Sequence, residues 1–218
     1  MTTYSQPKPA GAPTWVDLTT PEIEAARGFY HAIFGWDYDI GGPEFGGYTT
    51  ARLGQRTTAG LSPNQPDAPS APATWGLYFA SDNIEADVAR AVELGANVLY
   101  PPMVVGEFGG MAGCVDPTGA AFSFWQAGQH IGSQVTDESG ATTWHEMYAS
   151  DAKKARDFYM ALLGATADPM PGGLGIMCSS TARRCWPGSC KSIPRGATFA
   201  RSGSPISRWP TPMRPRRL

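Results

Sequence analysis

Long apolar runs, histidines and paired cysteines are all scarce in this 218-residue sequence. No segment approaches the roughly 20 apolar residues that cross a bilayer, and the opening MTTYSQPKPAGAP lacks the basic-then-apolar order of a secretory leader. These absences predict a cytoplasmic chain with no membrane partner. The four cysteines, Cys114, Cys178, Cys185 and Cys190, fit neither a paired C-x-x-C zinc site nor a disulfide framework, so reduced thiols are expected. Only three histidines occur, and no Ser-His-Asp, P-loop or dinucleotide motif is present. Acid is missing from one region entirely: Cys178 to Leu218 holds eight Arg, one Lys and no Asp or Glu. With a net charge of −2 overall, residues 1–177 therefore carry −11. An acidic body argues against nucleic acid as a partner, because phosphate neutralisation needs a basic surface.

What is present is ample material for a core, at 42% hydrophobic and 11% aromatic. It is also repetitive. WVDLTTPEIEAARGFYHAIFGW from Trp15 returns without a gap 129 residues later as WHEMYASDAKKARDFYMALLGA from Trp144. Matching positions include Trp15/Trp144, Arg27/Arg156, Phe29/Phe158, Tyr30/Tyr159 and Gly35/Gly164, the mark of a duplication.

Residues 14–20 alternate as a strand, and Ile23, Ala26, Phe29, Tyr30, Ile33 and Phe34 recur at helical spacing, predicting one buried helical face that ends at Gly35. WDYDI, GYTTARL and TTAGL read as three short strands. After the Pro/Ala-rich connector at 64–73 the order repeats: TWGLYFAS, a helix in IEADVARAVELG, then NVLYPPMVV, GMAGCVD, a tight Asp116-Pro117-Thr118-Gly119 turn and AFSFWQ. Two βαβββ units thus fill residues 14–127. A third begins at Thr142 with a helix over 151–163 and a strand pair up to Met177. The periodicity predicts an α+β fold with an N-terminal extension (1–13), two βαβββ modules (14–128), a linker (129–141), a third, shorter module (142–177) and an aberrant basic tail (178–218). That tail reads either as an out-of-frame translation of GC-rich DNA or as a natural basic arm, and in both cases as poorly ordered.

The pieces W-x-[DE]…A-R-x-F-Y-x-x-x-[FL]-G, W-x-L-Y-F-A-S-D, A-V-E-L-G-A and D-P-T-G-A-x-F-x-x-W-Q resemble the glyoxalase/bleomycin-resistance/dioxygenase group, the vicinal-oxygen-chelate superfamily, over about residues 10–177. Within it the sequence looks most like bacterial two-domain glyoxalase-like proteins, a group that includes accessory proteins of anthracycline pathways. The resemblance implies paired βαβββ modules forming a curved mixed sheet around a ligand cavity, with the second domain cut short.

It also implies where a metal would sit in the superfamily's enzymes, held by His, Glu or Gln. Here those positions carry Trp15 or Val16, Trp75 or Gly76, and Ser123. None is a competent ligand, and Asp17, on the same strand face as Trp15, is a single carboxylate where divalent sites use about three. The expectation is a metal-free cavity with no cofactor, lined by Trp15, Asp17, Tyr48, Tyr78, Ser123 and Trp125, with Asp17 orienting a ligand hydroxyl or acting as the general base. Alternation sets Ser123 and Trp125 on the cavity face and Phe122 and Phe124 toward the helices, and favours Tyr78 over Trp75. Phe29 and Tyr30 read as core, and His130 as a solvated linker residue. His145 and Glu146, adjacent on a strand, would point to opposite faces.

The function so implied is a metal-independent binder of a small aromatic metabolite, an accessory or sequestering protein of antibiotic biosynthesis or resistance. The alternatives are a metal-dependent lyase, isomerase or dioxygenase, and a nucleic-acid-associated protein using the basic tail. An uncovered apolar face on the third helix (Ala155, Phe158, Tyr159, Leu162, Leu163) predicts association, as a homodimer or by aggregation.

Overall fold

A computed structural model describes residues 1–147, 149–169 and 176–180. A two-residue strand β1 (Thr2–Thr3) precedes β2 (Pro13–Thr20), α1 (Ile23–Phe34), β3 (Asp37–Ile40), a short 3-10 turn (Pro43–Phe45), β4 (Thr49–Leu53) and β5 (Arg56–Pro63). The second module runs β6 (Thr74–Ala80), α2 (Ile84–Glu93), β7 (Asn97–Val105), β8 (Gly109–Val115) and β9 (Ala121–Ala127). Then come β10 (Val135–Thr136), α3 (Ala152–Leu163), β11 (Ala165–Pro169) and β12 (Ile176–Ser180).

The two modules make one eight-stranded mixed sheet in the order β3-β4-β5-β2-β6-β9-β8-β7. Their opening strands β2 and β6 meet antiparallel at its centre, and each runs parallel to its module's last strand, β5 or β9. One sheet face carries the helices. Leu18, Ala51, Ala59 and Leu61 pack under α1, and Phe79, Ala112, Cys114, Phe122 and Phe124 pack under α2 and α3. The turn after β8 is tied by Asp116, whose Oδ1 accepts from the Thr118 and Ala120 backbone N–H groups.

Both copies of the repeated helix stop the same way. Gly35 and Gly164 take left-handed φ values of 69° and 63°, a conformation glycine adopts without Cβ strain. Their burial differs from expectation. In α1 Arg27 is buried and Ile23, Ala26 and Tyr30 are half-buried against the core, while Phe29, Ile33 and Phe34 are exposed. Phe29 is therefore not core. In α3 the face expected to lack cover is docked: Ala155 and Phe158 are buried, and Tyr159, Leu162 and Leu163 pack on the core beside Phe79 and Phe122. That face is therefore covered in part within the chain, with Tyr159, Leu162 and Leu163 half-buried.

Three boundaries also move. Residues 142–147 form no strand, leaving Trp144, His145 and Glu146 exposed in coil. The 129–141 linker is packed: Val135 is fully buried, β10 pairs with β1, and Ser133 Oγ donates to the Thr58 carbonyl. Strand β12 pairs with β11 and takes in Cys178, Ser179 and Ser180, so the first three residues of the proposed tail are ordered in a ladder. The rest of the tail, with Cys185 and Cys190, lies outside the described residues. Cys114 is a free, buried thiol. Among the described residues no helix is long and apolar enough to cross a membrane.

Candidate functional site

On the helix-free face, register brings distant residues side by side. Asp17 of β2 is flanked by Gly60 of β5 and Gly76 of β6. Trp15 pairs with Tyr78, Tyr78 with Ser123, Ser123 with Gly113, and Trp125 with Met111. Because paired residues share a face, Trp15, Asp17, Tyr78, Ser123 and Trp125 line one surface. Trp15, Tyr78 and Trp125 form its apolar floor. Phe122 and Phe124 point to the helix side, and Trp75 sits there too, its Nε1 donating to Tyr30 Oη.

Asp17 is the centre of a hydroxyl network. Its Oδ2 accepts from Tyr78 Oη at 2.9 Å and, more weakly, from Tyr48 Oη at 3.5 Å. Tyr48 Oη in turn accepts from Trp15 Nε1 at 2.8 Å. Burial raises the Asp17 carboxyl to about 6, and the hydrogen bonds from Tyr78 and Tyr48 offset that only in part. Burial, reinforced by the Asp17 charge, pushes the Tyr78 and Tyr48 phenols upward, so both stay protonated donors at neutral pH. Chemically this is one buried anion near its titration point, surrounded by neutral O–H and N–H donors.

Two further residues complete the surface. Tyr100 of β7 shares a hydrogen bond of 2.8 Å with Ser123. His130 is not solvated: its ring packs edge-on to Trp15 at 4.4 Å and Trp125 at 5.3 Å, its carbonyl accepts from Trp125 Nε1, and burial lowers its pKa to about 4. Glycines make room for the phenols. A Cβ at Gly60 would collide with the Tyr48 hydroxyl, one at Gly113 with the Tyr100 ring, and one at Gly76 would lie 2.9 Å from Asp17 Oδ1. An isolated glycine within a strand pattern signals such close approach, so TTAGL and TWGLYFAS held a readable clue to Gly60 and Gly76. Tyr100 and His130 carried none, because neither lies in a distinctive local pattern.

A cavity of about 200 Å³ lies at the rim, lined by Lys8, Thr14, Ser81, Asp82, Trp125 and Gln126 among others. It shares Trp125 with the network, but Asp17, Tyr48 and Tyr78 do not line it. Its polar groups are engaged in holding the N-terminal segment and α2: Lys8 Nζ donates to the Pro13 carbonyl, Ser81 Oγ to Asp87, and Gln126 Oε1 accepts from the Ile84 N–H. The Asp17 face is the better candidate, because a buried carboxylate, phenol and indole donors and aromatic rings converge there.

Comparison with known proteins agrees with this architecture. Residues 13–124 match the family described as the Glyoxalase/Bleomycin resistance protein/Dioxygenase superfamily. CFP32 of Mycobacterium tuberculosis, which carries a provisional glyoxylase name, is 39% identical over 163 residues, covering 73% of this chain and 62% of its own length. The anthracycline biosynthesis protein DnrV of Streptomyces peucetius is 38% identical over 172 residues, 72% of this chain and 62% of DnrV. The chain thus spans about 62% of the length of these relatives. Among solved structures, a Mn(II)-bound glyoxalase from Novosphingobium aromaticivorans superposes with a TM-score of 0.50 at 14% identity, covering 73% of this chain and 54% of that one. A homoprotocatechuate 2,3-dioxygenase from B. fuscum gives 0.52 at 15% identity, with 76% and 48% covered.

A divalent metal on this face does not fit the side chains. Asp17 has glycine on both sheet neighbours, Ser123 is hydrogen-bonded to Tyr100, and among the described residues no three His, Cys, Asp or Glu are grouped to hold an ion. One carboxylate falls short of the three protein ligands such sites use.

Proposed function

This chain belongs to the glyoxalase/bleomycin resistance protein/dioxygenase superfamily, and on that premise we propose that it binds a small, flat, hydroxylated aromatic metabolite without a metal. The proposed setting is antibiotic biosynthesis, as an accessory or sequestering protein, a reading supported by the relatives named for anthracycline biosynthesis.

The observation that carries the proposal is Asp17: a buried carboxylate between two glycines, with the phenol hydroxyls of Tyr78 and Tyr48 as its side-chain partners among the described residues. A ligand hydroxyl takes the place of the long Tyr48 hydrogen bond and donates to Asp17. The Tyr78 hydroxyl stays on Asp17, and the Trp15 Nε1–H, released from Tyr48, donates to a neighbouring ligand carbonyl. Trp15 and Trp125 supply flat apolar walls. With its pKa near 6, Asp17 is also able to take a proton from an acidic ligand hydroxyl, the role of a general base.

Titration with 1,4-dihydroxyanthraquinone, followed by tryptophan fluorescence, tests this reading. Saturable quenching is expected, with Asp17→Asn weakening binding by roughly tenfold or more, as loss of a hydrogen bond to a charged group requires. Elemental analysis of the purified protein is the second arm. One tightly held divalent ion per chain, or equal binding by Asp17→Asn, would overturn the proposal.

A further inference from the structure

The Asp17 face is closed in this structure. Tyr48 lies over Gly60 and Tyr100 over Gly113, so the space beside the carboxylate is filled by phenol rings. Tyr48 ends the segment Gly41-Gly42-Pro43-Glu44-Phe45-Gly46-Gly47-Tyr48, which joins β3 to β4. Gly46 and Gly47 both have positive φ, and the neck of the loop is tied by the Gly41 N–H to the Tyr48 carbonyl at 2.8 Å. At its tip Phe45 reaches across to the other module and meets Phe108 of the β7–β8 hairpin edge-to-face, with ring centroids 5.7 Å apart.

Both ends of this contact lead to the same place. Phe45 is three residues from Tyr48, which holds Trp15 Nε1. Phe108 is bonded through its carbonyl to the Gly128 and His130 N–H groups, beside the Trp15–His130–Trp125 stack. Yet Phe45 and Phe108 are 45% and 42% exposed, unlike the buried floor below them. A pair of half-exposed rings, one from each module, thus ties the loop that carries Tyr48 to the hairpin whose backbone holds His130.

We propose that Phe45 and Phe108 form an aromatic clamp at the mouth of the Asp17 chamber that selects planar ligands, and that the glycine-flanked loop carries Tyr48 off Gly60 as the ligand enters. The inference rests on the ligand reading given above. An edge-to-face pair opens to a parallel slot when one exposed ring turns. A flat ring between two others needs a gap of roughly 7 Å, two van der Waals contacts, whereas a saturated ring is thicker and forces the rings wider apart. The loop's glycines make that adjustment local, and Gly60 and Gly76 leave Asp17 open once Tyr48 has moved.

The test uses the full chain and two probes: 1,4-dihydroxyanthraquinone, a plane of three fused rings, and phenol, a single ring. Phe45→Ala and Phe108→Ala are each expected to weaken the planar probe by roughly three- to tenfold, the range of an aromatic contact, while phenol binding stays as in the wild type. The double variant should lose less than the product of the single losses, since the two rings hold one ligand. Thermal melting of each variant checks that the fold is retained, which the exposure of both rings favours. If the wild type binds neither probe, the chamber reading itself fails. If it binds both and the variants change neither, the clamp alone is wrong. Equal weakening of both probes would also overturn the clamp, by showing that the rings only hold the loop in place.

Discussion

The two copies of the repeated segment bury opposite ends. In the first, Trp15 is 3% exposed and Asp17 is buried, while Phe29 in the helix that follows is 57% exposed. In the second, Trp144 is 58% exposed and Glu146 lies in exposed coil, while Phe158 is 4% exposed. Nearly the same residues at the same spacing therefore do different work. The first copy places its strand at the centre of a sheet, where β5 and β6 pair with it on both sides. The second forms no strand there, and instead lays its helix on the core of the preceding module.

This inversion sets the order of expected mutational effects. Trp15→Ala and Phe158→Ala should each cost about 3–5 kcal/mol, whereas their counterparts Trp144→Ala and Phe29→Ala should stay within about 0.5 kcal/mol. Urea unfolding of the four variants measures this. Similar losses at Phe29 and Phe158 would mean that the two helices are covered alike.

Next in size is a pH effect confined to the first copy. The folded-state pKa of Asp17, about 6, stands above the ordinary 3.8, so between these values the native chain holds a proton that the unfolded chain has released. Its contribution to stability is therefore present at low pH, declines as pH rises through 4 to 6, and stays lost above. Asp17→Asn should be more stable than the wild type by up to about 3 kcal/mol at pH 8 and by little at pH 4. Glu146→Gln should change stability by less than about 0.5 kcal/mol. Melting curves across this range decide it; an Asp17→Asn advantage that does not grow with pH would show that the carboxylate is better solvated than its burial implies.

The smallest contrast concerns the paired arginines. Arg27 is buried and its guanidinium bonds Thr49 Oγ1 at 2.5 Å and Glu24, while among the described residues the half-buried Arg156 pairs with its neighbour Asp157. Arg27→Met is expected to lower stability by about 1–2 kcal/mol, and Arg156→Met by less than about 0.5 kcal/mol. Denaturant midpoints that move equally for both would erase the distinction.

Which residues share the Asp17 face was largely legible in the sequence. Period-two alternation alone separates Ser123 and Trp125 from Phe122 and Phe124, and the same rule puts Trp15 and Asp17 on one face. Those residues do share a face with Tyr78, and hydrogen bonds link Trp15, Tyr48 and Tyr78 around Asp17. His130 and Tyr100 were not legible. The first reaches Trp15 only because the chain after β9 folds back along the sheet, and the second sits where β7 meets a glycine of β8. Nor could a repeat with one pattern announce that its copies bury different faces.

The sequence by itself determined the local geometry: two left-handed glycine stops, amphipathic helices between them, strands that alternate, and glycines where phenol rings lie against the sheet. These follow from backbone sterics and side-chain spacing within a few residues. Only the tertiary structure decided that Asp17 would be enclosed and Glu146 exposed, that Phe158 would be covered and Phe29 left bare, and that Phe45 would meet Phe108. Burial is a relation between surfaces far apart in the chain, and a helix or strand with an apolar stripe carries no record of which partner will cover it.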